Sequence, residues 1–593
     1  MKLSDYVFDF LSELGISHVF MIVGAANSHL ADSLAKHGKI RFVCPQHEQA
    51  AAMAAEGYAR SSGKLGAALV TSGPGGTNTI TGVCGAWCDS IPCIFISGQL
   101  PSSLIAKKNT VRQLGVQQIN IVNLVEPITK YSAMVKKGED IRYHLERAVY
   151  EATIGRSGPV WLDIPTEIQR AEVEPGKLRQ FIPPKDISPK PIDELRKIKK
   201  VMELISGAKR PVIIGGHGIR LAGAQNEFRE LVEKLRFPVI LTWNGIDLIE
   251  HCHPLFIGSA GVMGQRGPNF AVANSDLIFS IGSRLDTRQV GNSPELYARH
   301  AKKIVVDVSA HELQKELIKI DLPVHLDAKL FIEKFLECVP NVKDVGPWLK
   351  RCQEWHRKYP MVLPRYYHEN NGVNSYVFID ALSCLLEKGD IIVTDMGTSL
   401  TCTMQTFKIK AGQRLFTSMG LASMGYGLPG AIGAWYGADQ PQRIIGIFGD
   451  GGFQMNIQEL QTIAHYKVPI KIFLLNNKSY LTIKHTQEMF FDGRYAGSEF
   501  GSGYSTPDFT KVAAAYGLQT FPIVSQEELK EKIETVLNMP GPVLCEIQMP
   551  EDQPLTPLSV LDRSKGYAGS PIERMYPFLP EDEFLENMIV PAV

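Results

Sequence analysis

The sequence lacks an excess of charge, and it lacks a long hydrophobic run. Its 593 residues include 62 basic and 62 acidic side chains, so the formal net charge is zero. This balance argues against a nucleic-acid partner or an anionic membrane surface, because both need a clustered basic surface. No stretch reaches the ~18 consecutive apolar residues that a membrane span requires, and the first residues are typical of an amphipathic helix, not a signal peptide. We therefore expect a cytoplasmic protein.

Cysteine is also sparse, with ten residues scattered along the chain. This density argues against a disulfide scaffold, which is a device of small secreted domains. Cys84, Cys88 and Cys93 lie close together, and such spacing can indicate a metal site. Their apolar neighbours favour the alternative, in which the thiols pack as small hydrophobic groups.

Short β-rich apolar runs alternate with helical patterns along most of the chain, which is typical of parallel α/β units. Two stretches interrupt this alternation, a proline-rich and charged linker at 170–192 and a connector at 340–370. The fold class that we predict is α/β, with three doubly wound parallel-sheet domains at 1–172, 190–340 and 365–550 and a C-terminal extension at 551–593. The predicted strands are 19–23, 40–44, 67–71, 91–96, 211–214, 238–241, 277–281, 303–308, 390–394, 444–448, 470–475 and 543–547.

The third domain carries the most specific motif. Residues 444–477, IIGIFGDGGFQMNIQELQTIAHYKVPIKIFLLNN, predict a strand, a Gly-Asp-Gly turn, one amphipathic helix and a strand that ends in two asparagines. A Gly-Asp-Gly sequence alone is usually only a turn. Here Asp450 and Asn477 both follow the carboxyl ends of parallel strands, where open α/β sheets bind ligands. These oxygen donors, with the carbonyl of Ser479, predict a Mg²⁺ site beside a diphosphate, which the glycines allow backbone N–H groups to approach.

This motif resembles the cofactor site of thiamine diphosphate (ThDP) enzymes, and the resemblance to the acetolactate synthase family extends over roughly residues 1–550. It implies an N-terminal pyrimidine-binding domain, a Rossmann-like middle domain and a C-terminal diphosphate-binding domain. The implied activity is ThDP- and Mg²⁺-dependent decarboxylation of a 2-keto acid, for which we expect pyruvate, with transfer of the acyl-anion equivalent to a carbonyl acceptor. The implied enzyme is a carboligase, a transferase or lyase whose active sites are shared in a homodimer or homotetramer.

The segment SMGLASMGYGLPGAI, residues 418–432, is similar to the part of the family that supports the bent cofactor. The resemblance implies that Met424 wedges between the two cofactor rings. It also implies that the carbonyl of Ala422 accepts from the 4′-amino group, although the family more often has glycine there. The other cofactor contacts that we predict in this domain are Gly449, Asp450, Gly451, Gly452, Asn477 and Leu481.

Glu48 stands at the start of an Ala-rich helix in CPQHEQAAAMAAEGYAR. From its position alone it could be an acid that stabilises a helix N-terminus. The resemblance implies the family's activating glutamate, which hydrogen-bonds N1′ of the aminopyrimidine. A protonated Glu48 would donate to N1′ and favour the tautomer whose nitrogen can take the C2 proton of the thiazolium.

Other segments of the first domain also match the family. LVTSGPGGTNTITG, residues 69–82, resembles the segment near the activated cofactor, and we assign Gly73 and Ala25 to the cofactor site. Gln117 stands where the family has a glutamine that reaches the reacting carbon, although alone it could be a surface amide. In VGAANSHLADSL, which replaces the family's usual Pro-Gly-Gly segment, His29 is either a proton donor to a developing alkoxide or a histidine at a helix start.

In the middle domain, PVIIGGHGIR is a strand followed by a glycine-rich turn, a phosphate-binding pattern that is weak alone. IGSRLDTRQVG is similar to the segment around which acetolactate synthases hold FAD. The resemblance assigns Gly215 and Asp307 to this cofactor and matches Arg288 to the arginine that helps to recognise the second keto acid. FAD would be structural, but middle domains of this superfamily also bind ADP or no nucleotide.

Besides the segment that carries His29, two further departures from the family concern the acceptor. Thr486 replaces the tryptophan that favours 2-ketobutyrate, so the wall there is smaller and more polar. The long tail at 551–593 is a candidate lid that would exclude water from the site. Both suggest a different acceptor, such as a keto sugar. The alternatives are a simple 2-keto-acid decarboxylase, a flavin-dependent pyruvate oxidase and a catalytically silent scaffold relative.

Overall fold

The computed structural model describes residues 1–106, 111–184, 191–438, 442–562 and 568–593. Among these residues lie three six-stranded parallel sheets accompanied by helices, which confirms the predicted α/β class. Strands such as Gly66–Val70 and Cys93–Gln99 are buried at every position, as expected when helices cover both faces of a parallel sheet. Residues 185–190 of the predicted linker lie outside the described residues.

The N-terminal sheet has the strand order β2-β1-β3-β4-β6-β5. Its strands are β1 (His18–Met21), β2 (Arg41–Val43), β3 (Gly66–Val70), β4 (Cys93–Gln99), β5 (Tyr131–Met134) and β6 (Val160–Pro165). The accompanying helices are α1 (Leu3–Glu13), α2 (Ser28–Lys36), α3 (Glu48–Ser62), α4 (Pro74–Asp89), α5 (Ile121–Val125), α6 (Ile141–Thr153) and α7 (Thr166–Gln169).

The middle sheet has the order β12-β11-β10-β7-β8-β9, which is the strand order of dinucleotide-binding folds. Its strands are β7 (Pro211–Gly215), β8 (Val239–Leu241), β9 (Phe256–Gly258), β10 (Leu277–Ile281), β11 (Lys302–Asp307) and β12 (Leu322–His325). The helices are α8 (Pro191–Gly207), α9 (His217–Leu221), α10 (Gln225–Leu235), α11 (Arg266–Asn274), α12 (Thr287–Val290), α13 (Ala310–Gln314) and α14 (Ala328–Leu336), followed by the connector helix α15 (Gly346–Lys358).

The C-terminal sheet repeats the pattern of the first, with the order β14-β13-β15-β16-β18-β17. Its strands are β13 (Ile391–Thr394), β14 (Arg414–Phe416), β15 (Ile444–Gly449), β16 (Lys471–Asn476), β17 (Gln519–Ile523) and β18 (Val543–Gln548). The helices are α16 (Ser375–Leu385), α17 (Thr398–Thr406), α18 (Gly427–Gly437), α19 (Asp450–Met455), α20 (Glu459–Tyr466), α21 (Leu481–Phe491), α22 (Phe509–Ala515) and α23 (Leu529–Asn538).

Helices α3 and α18 join the first and third sheets within one chain. The two helices approach closely because glycines of each helix face the backbone of the other. A Cβ added at Gly433 would lie 1.9 Å from the carbonyl oxygen of Ala54, and one added at Gly57 would lie 2.3 Å from the carbonyl oxygen of Gly430. One hydrophobic cluster accordingly contains side chains of both sheets. The two domains that carry the predicted cofactor contacts are therefore packed firmly together.

The described part of the C-terminal tail contacts both the C-terminal domain, through Gln553 and Ser375, and the middle domain. It contains the strands β19 (Leu558–Ser559), β20 (Leu561–Asp562), β21 (Ala568–Gly569) and β22 (Met575–Tyr576) and the helix α24 (Glu581–Glu586). Glu573 pairs with Arg299 at 2.7 Å, and the amide of Asn269 donates to the carbonyl of Ile572 at 2.7 Å. Residues 563–567 of the predicted lid lie outside the described residues.

None of the helices in the described ranges combines the length and apolarity needed to cross a bilayer. All ten cysteines are free thiols, and Cys93 is buried while Cys84 and Cys88 are half-buried.

Candidate functional site

Asp450 lies at the carboxyl edge of the C-terminal sheet, between the end of β15 and the start of α19. Its side chain is buried, and Oδ2 accepts from the backbone N–H groups of Asn477 at 3.0 Å and Lys478 at 2.7 Å. Oδ1 accepts from the hydroxyl of Tyr504 at 3.1 Å. Burial raises the pKa of Asp450 to about 6, and these hydrogen bonds oppose the rise. A cation beside this carboxylate would stabilise its charged form.

The structure brings the three predicted metal ligands together. Nδ2 of Asn477 donates to the carbonyl oxygen of Ser479 at 2.9 Å and to its hydroxyl at 2.7 Å, while Asn477 itself is fixed to Asp450 through its backbone. Within the described ranges, the amide oxygen of Asn477 accepts no hydrogen bond. No group of three or more His, Cys, Asp or Glu side chains in the described part of the chain is arranged for a metal. A cation here would thus rely on one carboxylate with neutral oxygens, which suits Mg²⁺.

The glycines of the turn have different roles. A Cβ at Gly451 would lie 2.2 Å from the ring of Tyr480, and one at Gly452 would lie 2.6 Å from Oδ2 of Asp395. The packing of the protein itself therefore requires glycine at both positions. At Gly449 the nearest atom to an added Cβ is 3.7 Å away, so this side of the turn leaves room for a ligand.

Asp395, which the sequence did not single out, organises the predicted cofactor support. Its buried carboxylate accepts from the backbone N–H of Met396 at 2.7 Å and of Gly425 at 3.1 Å. Burial raises the pKa of Asp395 to about 6, and its bonds to backbone amides lower it. The turn so fixed carries Met424, whose methyl carbon lies 3.2 Å from the position of a Cβ on Gly451. Leu481 is buried at the start of α21.

Asp89 is a second buried carboxylate that the sequence did not single out. It ends α4, and its two oxygens accept from the backbone N–H groups of Met419 at 2.7 Å and Gly420 at 2.8 Å. Arg60 bridges Asp89 to Glu56, and burial raises the pKa of Glu56 to about 7. The N-terminal domain therefore anchors the segment that carries Ala422 and Met424.

Ala422 adopts a left-handed backbone conformation, with φ of +59°. This conformation favours glycine, because an L side chain crowds the following carbonyl. We expect Ala422→Gly to raise the free energy of unfolding by about 0.5 to 1 kcal/mol, the relief of strain being partly offset by the freedom of glycine in the unfolded chain. Urea denaturation measures the change. Ala381→Gly, inside helix α16, is the control and should lower stability; a fall in stability for Ala422→Gly would contradict the expectation.

Glu48 lies at the carboxyl edge of the N-terminal sheet as the first residue of α3. Its Oε2 accepts from Nδ2 of Asn78 at 3.0 Å, and its Oε1 lies 3.8 Å from the position of a Cβ on Gly75. The same position on Gly75 is 2.8 Å from the side chain of Thr71, whose hydroxyl is buried without a partner among the described residues. Asn78 follows TSGPG in the sequence, but the motif does not show that it contacts Glu48. That contact arises from the packing of α4 beside α3.

Three further predicted residues meet at this edge. The turn that contains Ala25 packs on Thr71, since a Cβ at Gly24 would lie 2.6 Å from the hydroxyl oxygen of Thr71. Gly73 has a φ of +63° and faces Gln117, whose carbonyl oxygen is 2.7 Å from the position of a Cβ on Gly73. Glu48, Ala25, Gly73 and Gln117 thus belong to one region of the sheet edge.

His29 has different neighbours. It is the second residue of α2, and its carbonyl oxygen accepts from Nζ of Lys2 at 3.1 Å. Burial and the nearby charges of Lys2 and Arg170 lower the pKa of His29, while Asp32 raises it. Within the described ranges, no hydrogen bond or ion pair connects the His29 side chain with Glu48 or Gln117. Its role as a proton donor stays a prediction.

The middle domain contains a cavity of about 860 Å³ at the switch point between β7 and β10. His217 Nε2, Asn244 Oδ1 and Gln289 Nε2 line it, are buried, and have no hydrogen-bond partner among the described residues. Burial lowers the pKa of His217 to about 3, so the ring is neutral. Its Nδ1 donates to the carbonyl of Asn244 at 3.1 Å, which leaves Nε2 as an acceptor. The cavity offers both acceptors and donors to a polar ligand.

Two of the three predicted site residues of the middle domain line this cavity. Arg288 and Asp307 line it, whereas Gly215 packs against Phe228 and Leu241 and Gly218 lines the cavity instead. Burial raises the pKa of Asp307 to about 6. An Nη atom of Arg288 lies 3.4 Å from the sulfur of Met419, so the arginine reaches the segment that supports the predicted ThDP site.

Comparison with known families identifies all three domains. Residues 1–124, 198–335 and 395–547 match, in this order, the N-terminal TPP binding domain, the central domain and the C-terminal TPP binding domain of thiamine pyrophosphate enzymes. The matched ranges contain Glu48, Arg288 and Asp450, and they fall one on each of the three sheets.

Curated relatives match nearly the whole chain. The acetolactate synthase large subunit of Lactococcus lactis subsp. lactis is 33% identical over 557 residues, 94% of each chain. The probable acetolactate synthase large subunit of Methanocaldococcus jannaschii is 34% identical over 559 residues, 92% of each chain. The acetolactate synthase large subunit of Cyanidium caldarium is 33% identical over 550 residues, 91% of each chain. These matches confirm the resemblance seen in the motifs. The chain belongs to the thiamine pyrophosphate enzymes, in the family of the acetolactate synthase large subunits.

Proposed function

We propose that the protein is a ThDP- and Mg²⁺-dependent carboligase that decarboxylates pyruvate and transfers the two-carbon unit to a carbonyl acceptor. The observation that carries this proposal is the convergence of Asp450, Asn477 and Ser479 beside the open side of the Gly449 turn. ThDP, when bound, supplies an electron sink for the carbanion that loss of CO₂ leaves.

Each group of residues has a distinct task in this proposal. Asp450, Asn477 and Ser479 hold Mg²⁺ and, through it, the diphosphate. The turn fixed by Asp395 presents Met424 and the Ala422 carbonyl to the rings. Glu48 exchanges a proton with the aminopyrimidine, a task that requires a titratable acid at a fixed position.

We also propose that each site is built from two chains, in a homodimer or homotetramer. Support comes from the contacts within one chain: among the described residues, no hydrogen bond joins the Glu48 side chain to the C-terminal sheet. Sedimentation of the purified protein, with and without ThDP, tests the assembly. A monomer with full activity would contradict it.

The acceptor that we propose is a keto sugar, in place of a second pyruvate or 2-ketobutyrate. Support comes from Thr486, which is exposed on α21 with its hydroxyl bonded to the carbonyl of Thr482 at 2.9 Å. A small polar wall suits an acceptor with several hydroxyl groups. Arg288 and His29 are the candidate groups for binding and protonating that acceptor, and the tail at 551–593 remains a candidate lid.

Product analysis with labelled pyruvate tests the activity. The purified protein is incubated with ThDP, Mg²⁺ and labelled pyruvate, alone and with keto sugars, and the products are identified by mass. We expect release of CO₂ and incorporation of two labelled carbons into the added keto sugar. Acetolactate alone would retain the carboligase and exclude the sugar acceptor. Acetaldehyde alone would identify a decarboxylase, and no turnover of any keto acid would indicate the silent relative.

We propose FAD for the middle cavity, with a structural role. Support comes from the strand order of the middle sheet and from the unpartnered polar atoms of His217, Asn244 and Gln289. Extraction of the purified protein and absorbance spectroscopy identify the nucleotide. Oxygen uptake with bleaching of the flavin by pyruvate would favour an oxidase, whereas ADP or an empty cavity would contradict FAD.

A cytoplasmic location completes the proposal. The ten free cysteines support a reducing compartment, where thiols stay unpaired.

A further inference from the structure

The loop 44–47 connects β2 to α3 and ends directly before Glu48, so its backbone determines where the Glu48 side chain begins. Two backbone amides of this loop donate hydrogen bonds to side chains of α20, in the C-terminal domain. The N–H of Cys44 donates to the hydroxyl of Tyr466 at 2.9 Å, and the N–H of Gln46 donates to both carboxylate oxygens of Glu459, at 3.0 and 3.1 Å. Glu459 and Tyr466 are the first and last residues of α20 and lie two turns apart on one face.

Glu459 is a carboxylic acid in a position where its side chain is shielded from water. It is fully buried, and no cation forms an ion pair with it in the described part of the chain. Burial raises the pKa of Glu459 to about 7, and hydrogen bonds from Thr462, Gln46 and His47 oppose the rise. A buried carboxylate is costly unless hydrogen bonds compensate for the lost water. Here two of the compensating donors, Gln46 and His47, belong to the loop before Glu48, so the position of this acid and the position of the loop depend on each other.

His47 adds a second constraint on the same loop. Its Nδ1 accepts from the N–H of Gln49 at 3.1 Å and so caps the N-terminus of α3. Glu459 of the C-terminal domain therefore binds the backbone of residues 46–47, and the ring of His47 fixes the start of α3. The backbone of Glu48 therefore has little freedom, and the hydrogen bond from Asn78 restrains its carboxylate.

We propose that Glu459 is a positioning residue that holds the loop 44–47 and thereby aims the Glu48 carboxylate at the aminopyrimidine. The inference rests on the proposed function, because Glu459 would support the proton exchange that we propose for Glu48. The proposed diphosphate contacts lie at the start of α19, whereas Glu459 begins the separate helix α20, so Glu459 acts on activation of the cofactor and not on its retention.

The test compares Glu459→Ala and Glu459→Gln in the full-length protein. In the apo protein, hydrogen–deuterium exchange should be at least about tenfold faster for the backbone of residues 44–48 in Glu459→Ala. In the ThDP-loaded protein, NMR should show exchange of the C2 proton slowed by about tenfold or more, because small misplacements of a reacting group are costly. The affinity for ThDP should stay within about threefold, since the hydrogen bonds of Asp450 and Asn477 are untouched. Glu459→Gln should restore both rates, because its amide oxygen can accept from Gln46.

Thr462→Val is the matched control, since it removes one hydrogen bond from Glu459 and leaves the contact with Gln46. It should behave as the wild type in both exchange experiments. If Glu459→Ala does not fold, Glu459→Asp provides the same comparison with a carboxylate that is one methylene shorter, and it should slow the C2 exchange.

The inference would be overturned if the folded alanine or aspartate variant exchanged the amides of residues 44–48 and the C2 proton at the wild-type rates. A loss of ThDP affinity equal to the loss of exchange would also overturn it, because it would indicate a merely structural role. These outcomes leave the proposed function intact as long as Glu48→Gln blocks C2 exchange. If the wild type does not bind ThDP, or Glu48→Gln exchanges at the wild-type rate, the proposed function fails first.

Discussion

Replacing Glu48 with glutamine is expected to lower turnover of pyruvate by about 10²- to 10⁴-fold, the range that a positioned acid or base contributes. Glutamine has nearly the shape of glutamate and keeps an oxygen for the 3.0 Å hydrogen bond from Asn78. It has no titratable proton to exchange with the aminopyrimidine. The steady-state rate and the C2 exchange rate should therefore fall together.

Binding of ThDP should change little in Glu48→Gln, because the proposed diphosphate contacts lie on the C-terminal sheet. Calorimetric titration with ThDP in the presence of Mg²⁺ measures this. Asn78→Ala is the matched control: it removes the hydrogen bond to Oε2 but leaves the carboxylate, and its rate should fall by less than about tenfold. Full activity in Glu48→Gln would refute the proton-exchange role.

Replacing Asp450 with alanine is expected to weaken Mg²⁺-dependent binding of ThDP by at least about 100-fold, since even groups that only support a metal ligand cost 10- to 100-fold. The change removes the one carboxylate of the proposed set and also the acceptor for the N–H groups of Asn477 and Lys478. Loss of those hydrogen bonds would loosen the turn that carries the other two ligands. Calorimetry of ThDP with and without Mg²⁺ measures the effect.

Asp450→Asn separates the charge from the fold, because an amide oxygen can still accept from the same backbone groups. It should melt near the wild-type temperature and yet lose the dependence of ThDP binding on Mg²⁺. Cation binding needs the carboxylate, whose pKa burial raises to about 6, so wild-type affinity should fall more steeply than that of Asp450→Asn as the pH drops through 6. Tyr504→Phe removes a single hydrogen bond from Oδ1 and is the control for packing. Unchanged ThDP affinity in Asp450→Asn would contradict the metal site.

The twelve predicted strands agree with the structure to within three residues at either end. The sequence missed five edge strands, among them Arg414–Phe416 and Gln519–Ile523, and also the interior strand Val160–Pro165. Edge strands have a neighbour on one side only, so they tolerate polar residues and short lengths, and their apolar signal is weak.

The single amphipathic helix predicted after the Gly-Asp-Gly turn is two helices in the structure. α19 ends at Met455 and α20 begins at Glu459. Between them, the side chain of Asn456 donates to the carbonyl of Gly425 at 2.7 Å, and its own backbone leaves the helical region. Hydrophobic periodicity cannot predict this break, because its cause is a contact with another segment of the chain. It also frees Glu459 to start a new helix that faces the loop before Glu48.

The sequence by itself determined the α/β class and supplied the residue types of the proposed cofactor site, because buried strands and the Gly-Asp-Gly to Asn-Asn spacing are local patterns. Only the tertiary structure decided which groups hold those residues in place. Asp89 bonds Gly420 across 331 positions and Glu459 bonds Gln46 across 413 positions, and neither contact leaves a period or motif in the chain. A hydrogen bond between distant segments depends on how whole domains pack, and here α3 and α18 bring the two domains close enough for each to hold a proposed catalytic segment of the other.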